Sequence, residues 1–158
     1  SVMSLNPVKS KRVTRSLLGT CLALSILAAP VLAGDTAHPI KMSKAQIAGG
    51  IFEDYEPVVS SHDGNTTHDV EVYRTASGLF DAGMYRSGKV RAEINEPYGV
   101  HEYMHFLEGG VTLTSSDGTV TEIEAGDSVV IPAEWTGVWD TEGYTKIYVI
   151  YSPDKPIE

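Results

Sequence analysis

The sequence predicts an all-β fold, a barrel or sandwich of short antiparallel strands. Three observations predict it. From Val70 onward, short runs rich in Val, Ile, Thr and Tyr recur at even spacing. Gly, Asp and Pro divide these runs, and such residues favour turns over strand interiors. No stretch beyond residue 33 sustains a helical period.

The first 33 residues stand apart. Lys9, Lys11, Arg12 and Arg15 make a basic start, Leu17 to Ala29 is almost wholly apolar or small, and Ala-Pro-Val-Leu-Ala precedes Gly34. This order predicts a Sec-type signal peptide over 1–33, cleaved after Ala33, and a periplasmic or secreted protein. A membrane anchor fits less well, because the apolar run to Ala33 contains Pro30 and falls short of the ~20 residues that a span requires. Cys21 lies in a poor context for lipid attachment.

The chain has 158 residues, 42% of them hydrophobic, enough for one domain with its own core. Its formal charge is −9, from 12 Lys+Arg against 21 Asp+Glu. Loss of the four cations in 1–33 leaves 8 against 21, a net of −13. That balance argues against nucleic acid, and against membrane surfaces once the signal is removed. Cys21 is the sole cysteine, so the mature chain forms no disulfide and relies on its core.

Residues 34–69 read as an irregular N-terminal segment. Met42 to Ile47 fits one helical turn capped by Ser43, and Asp63-Gly64-Asn65 fits a turn. Residues 70–158 read as one β-domain. Its strands are expected at Val70–Thr75, Leu79–Arg86, Lys89–Asn95, His101–Leu107, Val111–Thr114, Thr119–Glu124, Asp127–Ile131, Gly137–Thr141 and Thr145–Tyr151. Asp117-Gly118 joins two of them as a hairpin turn.

His101-Glu102-Tyr103-Met104-His105 spells the H-E-x-x-H of zinc proteases. The motif works on a helix, where both His share a face and the Glu is the base. Here Pro97 and Gly99 precede it, while Gly109-Gly110 and a β-branched run follow. On a strand, His101 and His105 take one face and Glu102 the other, which rules out that chemistry.

Read as strand, the same residues resemble the first motif of the cupins, a Glu followed by six residues and a Gly: Glu102 to Gly109. Gly126-Asp127-Ser128-Val129-Val130-Ile131-Pro132 resembles the second motif. Finer likeness, from Phe106 through Thr114, Gly137-x-Trp139 and Lys146 to Ile150, is to the small cupins related to (S)-ureidoglycine aminohydrolase. The resemblance covers about residues 75–151. It implies a cupin double-stranded β-helix, a jelly-roll barrel, with an irregular N-terminal extension. In metal-binding cupins two His precede the motif Glu and one follows the motif Pro. Those places hold approximately Glu96, Tyr98 and Gly137 here, so Glu102 is the only usual ligand retained. The ureidoglycine enzymes resemble two fused cupin domains, whereas this chain has one.

Alternation puts Glu102, Met104 and Phe106 inside the barrel, with Tyr103 and His105 outside. Glu102 is expected either to anchor a ligand or to pair with an inward Arg such as Arg91, or with a Tyr hydroxyl. Glu96, Tyr98 and Trp135 are expected near one open end, with Trp139 either beside them or filling the core. Arg86, Lys89 and Arg91 read as a basic cluster at a hairpin tip. The expected function is that of an exported binding module, with Glu96, Tyr98, Glu102, Met104, Trp135 and Trp139 around a small polar ligand and no cofactor. One alternative is a metal-dependent enzyme acting on a ureide-like or sugar-like substrate, its divalent ion held by Glu102, Glu96 and His101. Another is a non-catalytic protein that dimerises through a strand face. A homodimer is the expected assembly.

Overall fold

The computed structural model describes residues 35–158. The predicted signal segment, its cleavage point after Ala33 and Cys21 lie outside the described residues. Eight strands follow a short helical segment: β1 Val58–His62, β2 Asn65–Arg74, β3 Phe80–Ser87, β4 Val90–Ile94, β5 His101–Ser115, β6 Val120–Glu124, β7 Ser128–Ile131 and β8 Gly137–Tyr151. They form one antiparallel sheet in the order β1-β2-β3-β8-β5-β6, with β4 added to β8 and β7 to β5.

The long strands β5 and β8 close this sheet into a cupin barrel. They pair with each other from His101↔Tyr151 to Ser115↔Gly137, through irregularities between Phe106 and Glu108 and between Gly110 and Thr112. The first half of β5 pairs with β7 and its second half with β6. Likewise β8 pairs first with β4 and then with β3. Each long strand therefore changes neighbours midway, and a bulge there supplies the bend. Gly109 sits at this bend with φ 66°, and a Cβ on it would lie 1.9 Å from the Gly143 carbonyl oxygen. The Gly of the first motif thus serves the crossing of two backbones.

Alternation within the barrel collects one apolar cluster, including Met104, Phe106, Leu113, Ile131 and Trp139. A second cluster lies on the outer face, where Ile51 of helix α1 (Ile51–Asp54) meets Val70 and Met84. The helical segment runs further than the expected single turn. Ser43 does cap it: its Oγ accepts from Gln46 N at 3.1 Å, while Gln46 Oε1 accepts from Ser43 N at 2.9 Å. This reciprocal pair is a capping box. The segment continues through Gln46–Gly50, kinks at Gly49 (φ 121°) and ends in α1. No helix among the described residues is long and apolar enough to cross a membrane.

Two expectations about strands need correction. Residues 34–69 are not irregular throughout, because β1 and the start of β2 form a hairpin there. Its turn is Asp63-Gly64, with φ 49° and 79°, the paired positive angles of a type I′ turn. Every residue of β1 is exposed, so the edge lacks the apolar alternation that marks a strand in sequence. The breaks expected after Leu107 and Thr141 do not interrupt β5 and β8; the glycines there bend the strands without ending them.

Candidate functional site

The period of two does what the sequence predicts for β5. Glu102, Met104 and Phe106 are buried inside the barrel, and Tyr103 is exposed on the other face. From β8 the same alternation sends Tyr144, Lys146 and Tyr148 inward. Lys146 Nζ donates to Glu102 Oε1 at 2.7 Å and lies 3.1 Å from Met104 Sδ. The two side chains of this ion pair are only 7% and 4% exposed. Tyr98 Oη donates to the other Glu102 oxygen. The Lys146 ammonium also stands 5.4–5.6 Å from the ring centres of Tyr85, Trp139 and Tyr144, which is cation–π range. The carboxylate is thus neutralised and held from both sides, as burial of a charge requires.

Burial, followed by the negative charge of Glu102, pushes the Tyr98 hydroxyl far above its usual range, so it stays a donor. Tyr144 and Tyr148 are raised as well, again chiefly by burial. Tyr148 Oη donates to Asp69 Oδ1 at 2.8 Å. Asp69 is raised, first by burial, with the Tyr148 hydrogen bond opposing. Asp81 is raised to about 6, first by burial and then by Glu71.

These groups surround a cavity of about 430 Å³ within the barrel, walled by Tyr85, Tyr98, Trp139 and Tyr144, with Glu102, Lys146, Asp69, Asp81 and Glu158 as its charged groups. A larger cleft of about 560 Å³ runs along the outside between β5, β6 and β8, past Glu122, Glu124, Asp140 and Glu142. It holds no desolvated charge, and Lys89 Nζ already occupies Glu142 at 2.7 Å. The barrel cavity is therefore the better candidate site.

The structure brings together only part of the expected set. Tyr98, Glu102 and Trp139 line the cavity. Met104 lies beneath it against the Lys146 ammonium. Trp135 stands behind Tyr98 at 6.3 Å, edge to face, with its Nε1 donating to Ser115 Oγ at 3.0 Å. Backbone bonds from Tyr98 N to Trp135 O and from Gly99 N to Ala133 O tie the two loops together. Glu96 is exposed and does not line the cavity.

Three expectations are corrected here. Arg91 does not pair with Glu102; it is exposed, 3.8 Å from Asp140 and 3.9 Å from Glu93. The basic residues near the hairpin do not cluster, since Lys89 pairs with Glu142 and Arg86 lies over the Phe52 ring at 4.2 Å. His101 does not join Glu102 and Glu96, because it faces away, stacked on Tyr151, with its Nδ1 accepting from Ala133 N.

The donor set does not fit the metal of metal-binding cupins. Among the described residues no three His, Cys, Asp or Glu are grouped to hold an ion. Glu102, the one retained ligand, faces an ammonium already. At Gly137, where a His is expected, a Cβ would lie 2.2 Å from Thr114 O and 2.7 Å from a Trp135 ring carbon. The site has no space for a His, so the substitution is built into the packing.

Sequence reasoning missed Lys146, Tyr85, Tyr144, Asp69 and Asp81. Lys146 carried a readable signal: a lone lysine in Tyr144-Thr145-Lys146-Ile147-Tyr148-Val149, in the alternation that also buries Tyr144 and Tyr148.

A barrel with these crossings has the cupin fold. A model of the EutQ-like cupin domain matches residues 77–148. A protein of unknown function from Pseudomonas syringae pv. tomato is similar with a TM-score of 0.55 and 18% identity, over 61% of this chain and 44% of that one. The EutQ protein of Clostridium difficile has a TM-score of 0.50 at 16% identity, over 60% and 68% of the two chains. A protein from Rhizobium leguminosarum bv. viciae shares 25% identity over 72% of this chain and 99% of its own, with a TM-score of 0.49. This chain thus spans less than half of the Pseudomonas protein. A comparison with curated proteins finds no match.

Proposed function

We propose that this cupin domain is an exported binding module that holds a small polar ligand in its barrel cavity. The observation that carries the reading is the desolvated Glu102–Lys146–Tyr98 group at the wall of a cavity of about 430 Å³. Such sites are mostly apolar, with a few polar groups in fixed places. Here aromatic rings supply the walls, while the ion pair and phenols supply donors and acceptors. The metal-enzyme reading draws no support from the donor set, for the reasons given above, and no hydrolytic or ureide chemistry is assigned. A homodimer is part of the proposal; exposed Tyr103 and Val130, paired across β5 and β7, offer the outer face a second copy would use.

A thermal-shift screen of ureides, amines, amino acids and sugars tests the cavity. A ligand at a hundredfold excess over its dissociation constant stabilises the fold by about 2.7 kcal/mol. The expected result is a shift for wild type that is absent in Glu102→Gln, each read against its own baseline. Equal shifts in both proteins would remove Glu102 from the site. Export rests on the basic start, apolar run and Ala33 of the first 33 residues. Intact-mass analysis of protein from its native compartment should find a chain beginning at Gly34; one that retains Lys9 to Arg15 would refute export by this signal.

A further inference from the structure

We propose that the Asp69–Asp81 end of the barrel cavity receives the ammonium head of a small primary amine, its apolar part lying against the aromatic walls. The proposal rests on the barrel being a ligand site and names the class of ligand.

Asp81 carries the argument. It projects from β3 into the cavity, opposite Ile150 of β8, and is only 5% exposed. Its Oδ1 is sealed from solvent and has no hydrogen-bond partner among the described residues. Leaving a buried acceptor unmade costs about 1–3 kcal/mol. When ionised, Asp81 therefore stands at the cavity wall as a buried charge whose Oδ1 no donor among the described residues binds, and a cation entering the cavity would offset that charge. Asp69, across from Tyr85, lines the same cavity, one oxygen fixed by the Tyr148 hydroxyl at 2.8 Å.

Charge selects the donor. The cavity lining carries Asp69, Asp81, Glu102 and Glu158 against one cation, Lys146. Lys146 is already committed to Glu102. The remaining field is negative and favours a cation. An ammonium brings three N–H donors and needs no ring of ligands. A divalent ion needs six or more oxygen ligands; among the described residues no group of three candidate side chains is present.

Protonation of Asp81 controls the binding. Burial comes first, then the Glu71 charge, a hydrogen bond with Glu71 and the Asp69 charge, all raising it to about 6; Arg74 opposes. The charged and titratable groups around it are Asp69, Glu71 and Arg74 from β2, Tyr148 and Lys146 from β8, Glu102 from β5, and Glu158. Above about 6 Asp81 is ionised and accepts from the ammonium. Below that it is protonated, shares its hydrogen with Glu71 and loses its attraction for a cation.

The test is calorimetric titration with propylammonium chloride and with 1-propanol, at constant ionic strength and near pH 8. Propylammonium is expected to bind at least about tenfold more tightly than propanol, a difference of about 1.4 kcal/mol. Asp81→Asn should abolish that preference while melting no lower than wild type, and wild type should lose the preference near pH 5. If Asp81→Asn does not fold, Asp69→Asn serves, with the same loss expected. Equal binding of amine and alcohol, an unchanged preference in Asp81→Asn, or displacement of the amine by calcium through Asp81 overturns the inference. If sugars bind through Glu102 while propylammonium does not, this inference falls and the cavity reading stands. If nothing binds wild type, both fall.

Discussion

A lysine and a glutamate taken out of water each lose several kcal/mol of hydration, and only close pairing restores it. Lys146 and Glu102 meet at 2.7 Å, with the remaining glutamate oxygen bound by Tyr98 and the ammonium surrounded by three rings. Removing one partner leaves the other charged and alone. Lys146→Met is therefore expected to cost about 3–5 kcal/mol in chemical denaturation. Adding Glu102→Gln, which keeps an acceptor for Tyr98 and removes the orphaned charge, should recover part of that loss. The two changes should thus be non-additive by about 0.5–3 kcal/mol. A Lys146→Met protein as stable as wild type would mean that water reaches the pair. Of this site, the sequence makes Glu102 readable, because a period of two inside an apolar strand fixes its side. Lys146 obeys the same rule on β8, but a lysine is by default a surface residue, and only its apolar neighbours argue otherwise. Asp81 is harder to see. It stands inside the expected strand Leu79–Arg86, where a polar residue reads as the solvent side, and its place in the cavity follows from its pairing with Ile150, a long-range fact. Asp69 is hidden for another reason, since it belongs to a strand whose polar start reads as loop.

At the scale of elements, β5 and β8 carry both fold and site. The motif residues Glu102 to Gly109 and Gly126 to Pro132 mark where β5 bends and where β7 returns to pair with it. Those crossings were readable because glycine and proline punctuate them. Both strands run longer than punctuation alone implies, because a bulge absorbs a glycine without breaking the ladder. The helical segment is only partly visible in sequence: Ser43 and Gln46 announce its start, but it is too short to show a period beyond the kink at Gly49. Its contribution lies in packing. Ile51 is fully buried against Val70 and Met84, on the outer side of the strands whose inner side bears Asp69 and Asp81. Ile51→Ala should lower unfolding free energy by about 2–5 kcal/mol, the range for emptying a buried aliphatic site. A loss below about 0.5 kcal/mol, the scale of surface changes, would show that the segment does not dock in solution.

At the scale of the whole molecule, an acidic chain holds several of its acids inside. Folding moves Asp81 from water, where its usual value is 3.8, to a buried place beside Asp69 and Glu71, where it rises to about 6. The sign follows from proton binding. Between these two values the folded state holds a proton that the unfolded state has released, so stability falls as pH rises across the window. Below 3.8 both states are protonated and Asp81 costs nothing through its charge; above about 6 its full charge penalty applies. Asp81→Asn removes the titration without changing the side chain's size. The variant is expected to melt above wild type at neutral pH. That advantage should shrink as pH falls through about 6 and vanish near 3.8. Paired melting curves across this range measure the difference directly, and other groups that titrate equally in both proteins cancel from it. A constant difference at every pH would place Asp81 in contact with water. An advantage that grows towards acid would mean that the carboxylate is stabilised by a cation and that the negative end of the cavity is already neutralised within the chain.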